Sequence, residues 1–123
     1  MIVSIFWIGL GSFFGGIGRF LLSKIIQGQF PGAFPWGTFA VNVIGCFLIG
    51  LFYGFSEKGL GENARLFLTI GFCGGFTTFS TFANESLQLF KSGNLIPLAL
   101  YASASVFVGI IAVYAGNWTT KLF

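Results

Sequence analysis

Between residues 71 and 85 the chain reads Gly71-Phe72-Cys73-Gly74-Gly75-Phe76-Thr77-Thr78-Phe79-Ser80-Thr81-Phe82-Ala83-Asn84-Glu85, an apolar stretch that nonetheless carries four hydroxyls and a carboxylate. Two adjacent glycines followed by two β-branched threonines make a poor continuous helix, so a break is expected here. A break frees carbonyl oxygens that lipid cannot satisfy. Protein must cover them, and such oxygens suit a hard monovalent cation such as Na+. Phe76, Phe79 and Phe82 recur three apart, which puts rings on one helix face with Glu85 beyond them and Thr77, Thr78, Ser80 and Thr81 along the flank. Phenyl edges are partially positive. A row of edges beside hydroxyl donors attracts an anion, yet weakly enough to let it leave, as conduction requires. The same stripe also suits plain packing.

Other polar residues stand in equally apolar surroundings. Asn42 is either interhelical glue, worth about 1 kcal/mol or less, or an anion ligand whose NH2 donates without a positive charge that would trap the ion. Glu85 is the only acid inside an apolar span and lies two turns before Lys91, so it is either a proton-coupled carboxylate or a residue of a vestibule near the interface. Arg19 either snorkels to the surface or holds positive charge near the mouth of an anion path. Tyr101 and Ser105, four apart, share a face and either extend a polar lining or simply pack. Cys46 and Cys73 read as small buried hydrophobes with no catalytic partner.

The elements that must position these groups follow from composition. Of 123 residues only six are Lys or Arg and three Asp or Glu, so 7% are charged, while 55% are hydrophobic and 19 are Gly. A soluble domain carries roughly 25% charge, and a small one needs polar groups to cover its large surface. An integral membrane protein remains. The absence of His argues against zinc or histidine chemistry, two Cys inside apolar runs argue against a disulfide scaffold, and a net charge of +3 from scattered residues argues against a nucleic-acid partner.

A membrane helix needs about 20 mostly apolar residues. Four such spans fit, at about 2–26, 36–55, 65–90 and 95–118, making one membrane domain over 1–123. Residues 1–22 lack the basic start and cleavage site of a signal peptide, so the first span is expected to stay as an anchor. Lys58, Arg65 and Lys121 fall on one side, and Lys24, Lys91 and Arg19 on or near the other. Three against three gives no orientation bias. The expected architecture is therefore an all-α membrane protein of four transmembrane helices, the third broken near its middle, inserted both ways and paired as an antiparallel dual-topology homodimer. Small-residue pairs Gly11/Gly15, Gly50/Gly54 and Gly71/Gly75 supply the close helix contacts.

Three segments, in order, resemble the Fluc (CrcB-like) fluoride channels over essentially the whole chain. They are Gly15-Gly16-Ile17-Gly18-Arg19-Phe20, Gly37-Thr38-Phe39-Ala40-Val41-Asn42-Val43-Ile44-Gly45, and Gly71 to Phe82 with Glu85 following. The resemblance implies an antiparallel dimer with two fluoride pores and a central Na+ that is bound but not transported. It implies that Gly74 and Thr77 supply the Na+ carbonyls, Asn42 the pore amide, and Phe79 and Phe82 the ring edges. Ser80 and Thr81 become hydroxyls of the polar track, Glu85 lies near a pore end, and Arg19 is vestibular or structural. Tyr101 and Ser105 fit the family's fourth-span polar face, although Gly109 stands one turn on where some members carry a hydroxyl.

The function so implied is passive fluoride export across the cytoplasmic membrane, with lipid, fluoride and a second copy as partners and no catalysis. Two rivals follow from other physics. A small multidrug-resistance type antiporter shares the four-helix dual topology but needs an acid in the first span, and none occurs there. A non-conducting assembly subunit leaves Asn42 and the aromatic–hydroxyl stretch without a purpose.

Overall fold

The computed structural model describes residues 1–123, nearly all helical. Helix α1 spans Ile2–Gln29, α2 Trp36–Glu57, and α3 Glu62–Leu66. A π-helical stretch, Phe67–Cys73, follows and leads into the single turn α4, Gly74–Phe76. After two extended residues come α5, Phe79–Lys91, and α6, Leu95–Thr119, which ends in a tight turn over Thr120–Leu122. Four helical segments, Ile2–Gln29, Trp36–Glu57, Glu62–Lys91 and Leu95–Leu122, are long and apolar enough to cross a membrane. Only 20 residues are buried, and large apolar side chains such as Phe13, Phe107 and Ile110 face outward. Such a surface belongs in lipid or against another apolar chain.

Glycines bring the helices to backbone contact in two pairs. A Cβ at Gly11 would run into the Phe67 carbonyl oxygen, one at Gly15 into the Phe72 carbonyl, and one at Gly75 would lie 2.8 Å from the Ser12 oxygen. Thus α1 rides directly on the first half of the third span. Likewise α2 meets α6, with Gly50 against Val113 and Gly116 against Phe47. In lipid, where apolar burial supplies little attraction between helices, this close approach is what van der Waals packing requires. The Ser12 hydroxyl also donates to the Gly71 carbonyl at 3.3 Å, a side chain inserted into the widened ladder of the π-helical stretch.

Two loops hold the remaining geometry. Gln27 closes the α1–α2 loop: its Oε1 accepts from the Gly37 N–H at 3.0 Å and its Nε2 donates to the Phe34 carbonyl at 3.4 Å. Gly93, with φ of 79°, terminates α5; its N–H donates to Phe90 and the Asn94 N–H to Leu89, the paired bonds of a Schellman stop. Between these loops the third span is interrupted. Thr77 (φ −89°, ψ 159°) and Thr78 (φ −150°, ψ 121°) are extended. The break thus falls just after the glycine pair, not on it. Both glycines stay helical, and Gly75 packs on α1 while Gly74 is exposed.

The break also separates the rings. Phe76 is buried and stacks on Phe72 at 5.6 Å, while Phe79 and Phe82 lie beyond it with centroids 5.8 Å apart. The expectation of three rings on one helix face therefore gives way to two. Spacing of three aligns side chains only along an uninterrupted helix.

Candidate ion path

Both backbone groups of Thr78 meet the side chain of Asn42. The Thr78 N–H donates to Asn42 Oδ1 at 2.9 Å, and Asn42 Nδ2 donates to the Thr78 carbonyl at 3.1 Å. One primary amide thus replaces the helical partner that the Thr78 N–H loses and adds a bond to the Thr78 carbonyl, and its second N–H is left over. Thr78 also starts α5. Its hydroxyl accepts from the Thr81 N–H at 3.2 Å and donates to the Thr81 hydroxyl at 3.1 Å, a side-chain N-cap.

Cavities lie on both sides of this joint. The first, of about 330 Å³, is walled by Asn42, Thr77, Thr78, Phe79, Phe82 and Ser105 among others. The second, of about 450 Å³, has no hydrophobic lining residue and includes Arg19, Lys24, Thr38, Thr81 and Glu85. Thr78 borders both. Gln27 and Glu85 border a third cavity of about 450 Å³ as well, so the polar side is a broad mouth. From that mouth to the ring-lined chamber, the dividing wall is the broken strand with its amide clasp.

The other expected site residues fall into two groups. Tyr101 is fully buried; its hydroxyl donates to Glu85 Oε1 at 3.0 Å and its ring lies 4.9 Å from Phe82. Asn42, Phe82 and Ser105 therefore border the first cavity, Arg19, Thr81 and Glu85 the second, and Tyr101 contacts both Glu85 and Phe82. Phe79 lines the first cavity yet remains 79% exposed, and Ser80 and Gly74 also face outward from the single chain. Ser80 borders none of the cavities at the break.

The carbonyls released by the break include those of Gly74 and Thr77. In a continuous helix the Gly74 oxygen would accept from the Thr78 N–H, which turns to Asn42 instead, while the Thr77 N–H is used by Cys73. The Thr77 oxygen similarly loses the Thr81 N–H to the Thr78 hydroxyl. Both are hard, neutral oxygen donors, the type that suits Na+. No cluster of His, Cys, Asp or Glu offers a competing metal site.

Thr78, Thr38 and Gln27 carry more of the site than their sequence positions suggest. Thr78 reads as one more hydroxyl of the flank, although a Thr opening an amphipathic run is itself a helix-start signal. Gln27 has no such signal, because its partners are backbone atoms up to ten residues away.

The arrangement defines a multi-pass helical membrane protein whose polar groups converge on an interrupted helix. Comparison with known proteins narrows the class. The family described as CrcB-like protein, Camphor Resistance (CrcB), matches residues 6–117. A protein of Phocaeicola vulgatus named fluoride-specific ion channel FluC is 50% identical over 119 residues, covering 96% of this chain and 98% of the relative. Proteins of the same name from Flavobacterium psychrophilum (43% over 115 residues, 92% of this chain and 93% of the relative) and Azobacteroides pseudotrichonymphae (42% over 125 residues, all of both chains) are also similar. The chain belongs to the CrcB-like family.

Proposed function

We propose that the protein is a fluoride channel of the cytoplasmic membrane, through which the ion leaves the cell passively, driven by its gradient and the membrane potential. The observation that carries this reading is the Asn42–Thr78 clasp. It stands between a polar mouth and a chamber edged by Phe79 and Phe82, with one amide N–H to spare. The names of the relatives support fluoride as the ion.

The mechanism follows from the residues. Fluoride entering the lipid interior gives up tightly held water, and each lost contact needs a donor in its place. Arg19 and Lys24 draw the anion into the mouth, and Thr38 and Thr81 offer hydroxyls there. Tyr101 keeps its donor on Glu85, which orients the carboxylate that would otherwise face the anion freely. At the clasp the spare Asn42 N–H, and beyond it the Phe82 ring edge and the Ser105 hydroxyl, succeed one another without a fixed cation. Neutral dipoles bind the ion weakly enough for it to move on.

The working unit in this reading is an antiparallel pair of copies inserted in both orientations. Exposed Phe79, Ser80 and Gly74 all flank the break, where a second chain would cover them. The Gly74 and Thr77 carbonyls of each copy would hold a Na+ that is not transported, neutralising oxygens that lipid cannot solvate.

Phe82→Ile tests the path. Purified protein in liposomes is expected to release fluoride to an external electrode, and this variant should release it at least about tenfold more slowly while keeping its elution volume in detergent. Unchanged release would remove the ring edge from the mechanism. No release by the parent protein would remove the function.

A further inference from the structure

Ser105 Oγ is a buried polar atom without a hydrogen-bond partner, and its residue lines the first cavity. Cys46 on α2 lines that cavity too. One turn beyond Ser105 on α6 stands Gly109, which is buried; a Cβ there would lie 3.4 Å from Cys46 Sγ. The sulfur thus lies in contact with the space a side chain at 109 would enter, one turn on from Ser105. Three residues on, Ile49 borders both this cavity and a further one of about 580 Å³ that includes Tyr53, Tyr114 and Asn117. Cys46 and Ile49, three apart on α2, therefore line the same cavity as the unpartnered hydroxyl.

The wall at this point is fixed. A Cβ at Gly50 would lie 2.9 Å from the Val113 carbonyl carbon and 3.1 Å from the Asn117 nitrogen, and one at Gly116 would lie 2.9 Å from the Leu51 nitrogen. With α2 and α6 in backbone contact, no room lies between the helices, so extra bulk on the sulfur extends into the cavity that Cys46 lines. A thiol is small, polarisable and a weak S–H donor, so it can border a passing anion without binding it.

We infer that Cys46 is a wall residue of the ion path, and that the size of the group on its sulfur sets the width between Ser105 and the Ile49 junction. This rests on the conduction reading above. It adds a position that neither the resemblance nor the relatives' names assign.

Mercuric chloride is a suitable probe because it is neutral and compact. The thiol S–H bond is broken and an S–Hg bond formed, one chloride leaves mercury, and the proton passes to buffer, leaving an S–Hg–Cl adduct. Fluoride release is measured before and after treatment in the parent, in Cys46→Ala and in Cys73→Ala, with intact mass and peptide mapping to locate mercury. The expected result is a loss of at least about tenfold in the parent and in Cys73→Ala. Cys46→Ala should stay within about twofold of its own untreated rate. Mercury on Cys46 with release unchanged would overturn the inference, as would equal inhibition of Cys46→Ala. Failure of mercury to reach Cys46 in a conducting protein would overturn the placement of the thiol alone. An untreated parent that releases no fluoride would instead defeat the conduction reading, which the mass assay distinguishes by reporting access to Cys46 independently of flux.

Discussion

Asn42→Asp is expected to abolish fluoride release. The substituted carboxylate can still accept the Thr78 N–H, but it has no N–H for the Thr78 carbonyl and none for the ion. It also sets a negative charge beside the path. Two like charges about 4 Å apart at an effective dielectric of about 20 repel by about 4 kcal/mol, which corresponds to about a thousandfold loss of ion occupancy. Asn42→Leu should lose release as well, for a different reason. The Thr78 N–H is then unpaired, at about 1–3 kcal/mol, so thermal unfolding should fall earlier than in the parent. The fluoride electrode and a melting curve together separate the two effects. Parental release by Asn42→Asp would show that the ion does not pass the clasp.

The second large effect is structural. Gly15→Val should prevent α1 from seating on the third span, because even the first added carbon collides with the Phe72 carbonyl and would lie 3.0 Å from the Phe76 nitrogen. Backbone cannot step aside as a flexible side chain does. Overpacking of about 1–3 kcal/mol is the ordinary range, and a collision with main chain belongs at or above its upper end. Gly9→Val on the same helix is the control, since nothing stands within 4 Å of a Cβ there. Size-exclusion profiles and unfolding midpoints in detergent should separate the pair clearly. Equal stability of the two variants would contradict the packing described for α1.

These residues also indicate what can be read from sequence alone. The four spans are legible because lipid imposes a single demand, a length of apolar helix, and the observed helices extend the expected ranges by only a few residues at most ends. Gly11/Gly15 and Gly71/Gly75 are legible because small residues four apart have few other uses in a membrane helix. An interruption near Gly74-Gly75 is legible from propensity. Its location at Thr77 and Thr78 is not, since it depends on Asn42 arriving from another helix to pair the freed Thr78 N–H. The same reason hides the separation of Phe76 from Phe79 and Phe82. Periodicity assumes continuity, and the residue that ends continuity lies 36 positions away.

Asn42 itself illustrates a limit of choosing between roles. Glue and ligand are alternatives only while the amide has one job. In the structure its oxygen and one N–H are committed to Thr78, so the structural role is met with a donor remaining. Tyr101 and Glu85 behave in the same manner. Their hydrogen bond joins α6 to α5 and at the same time fixes the carboxylate at the edge of the mouth. In so small a chain, groups that hold the fold also border the cavities at the break or touch the residues that do.

The central claim is that a narrow passage of neutral donors, with no fixed cation along its inner part, accepts the smallest halide and refuses larger ones. Liposomes loaded with equal fluoride and chloride, fitted with electrodes for both ions and opened to potassium by valinomycin, test it most directly. Fluoride release is expected to exceed chloride release by at least about a hundredfold, the range that site-built discrimination reaches. Release of both ions at similar rates would contradict it.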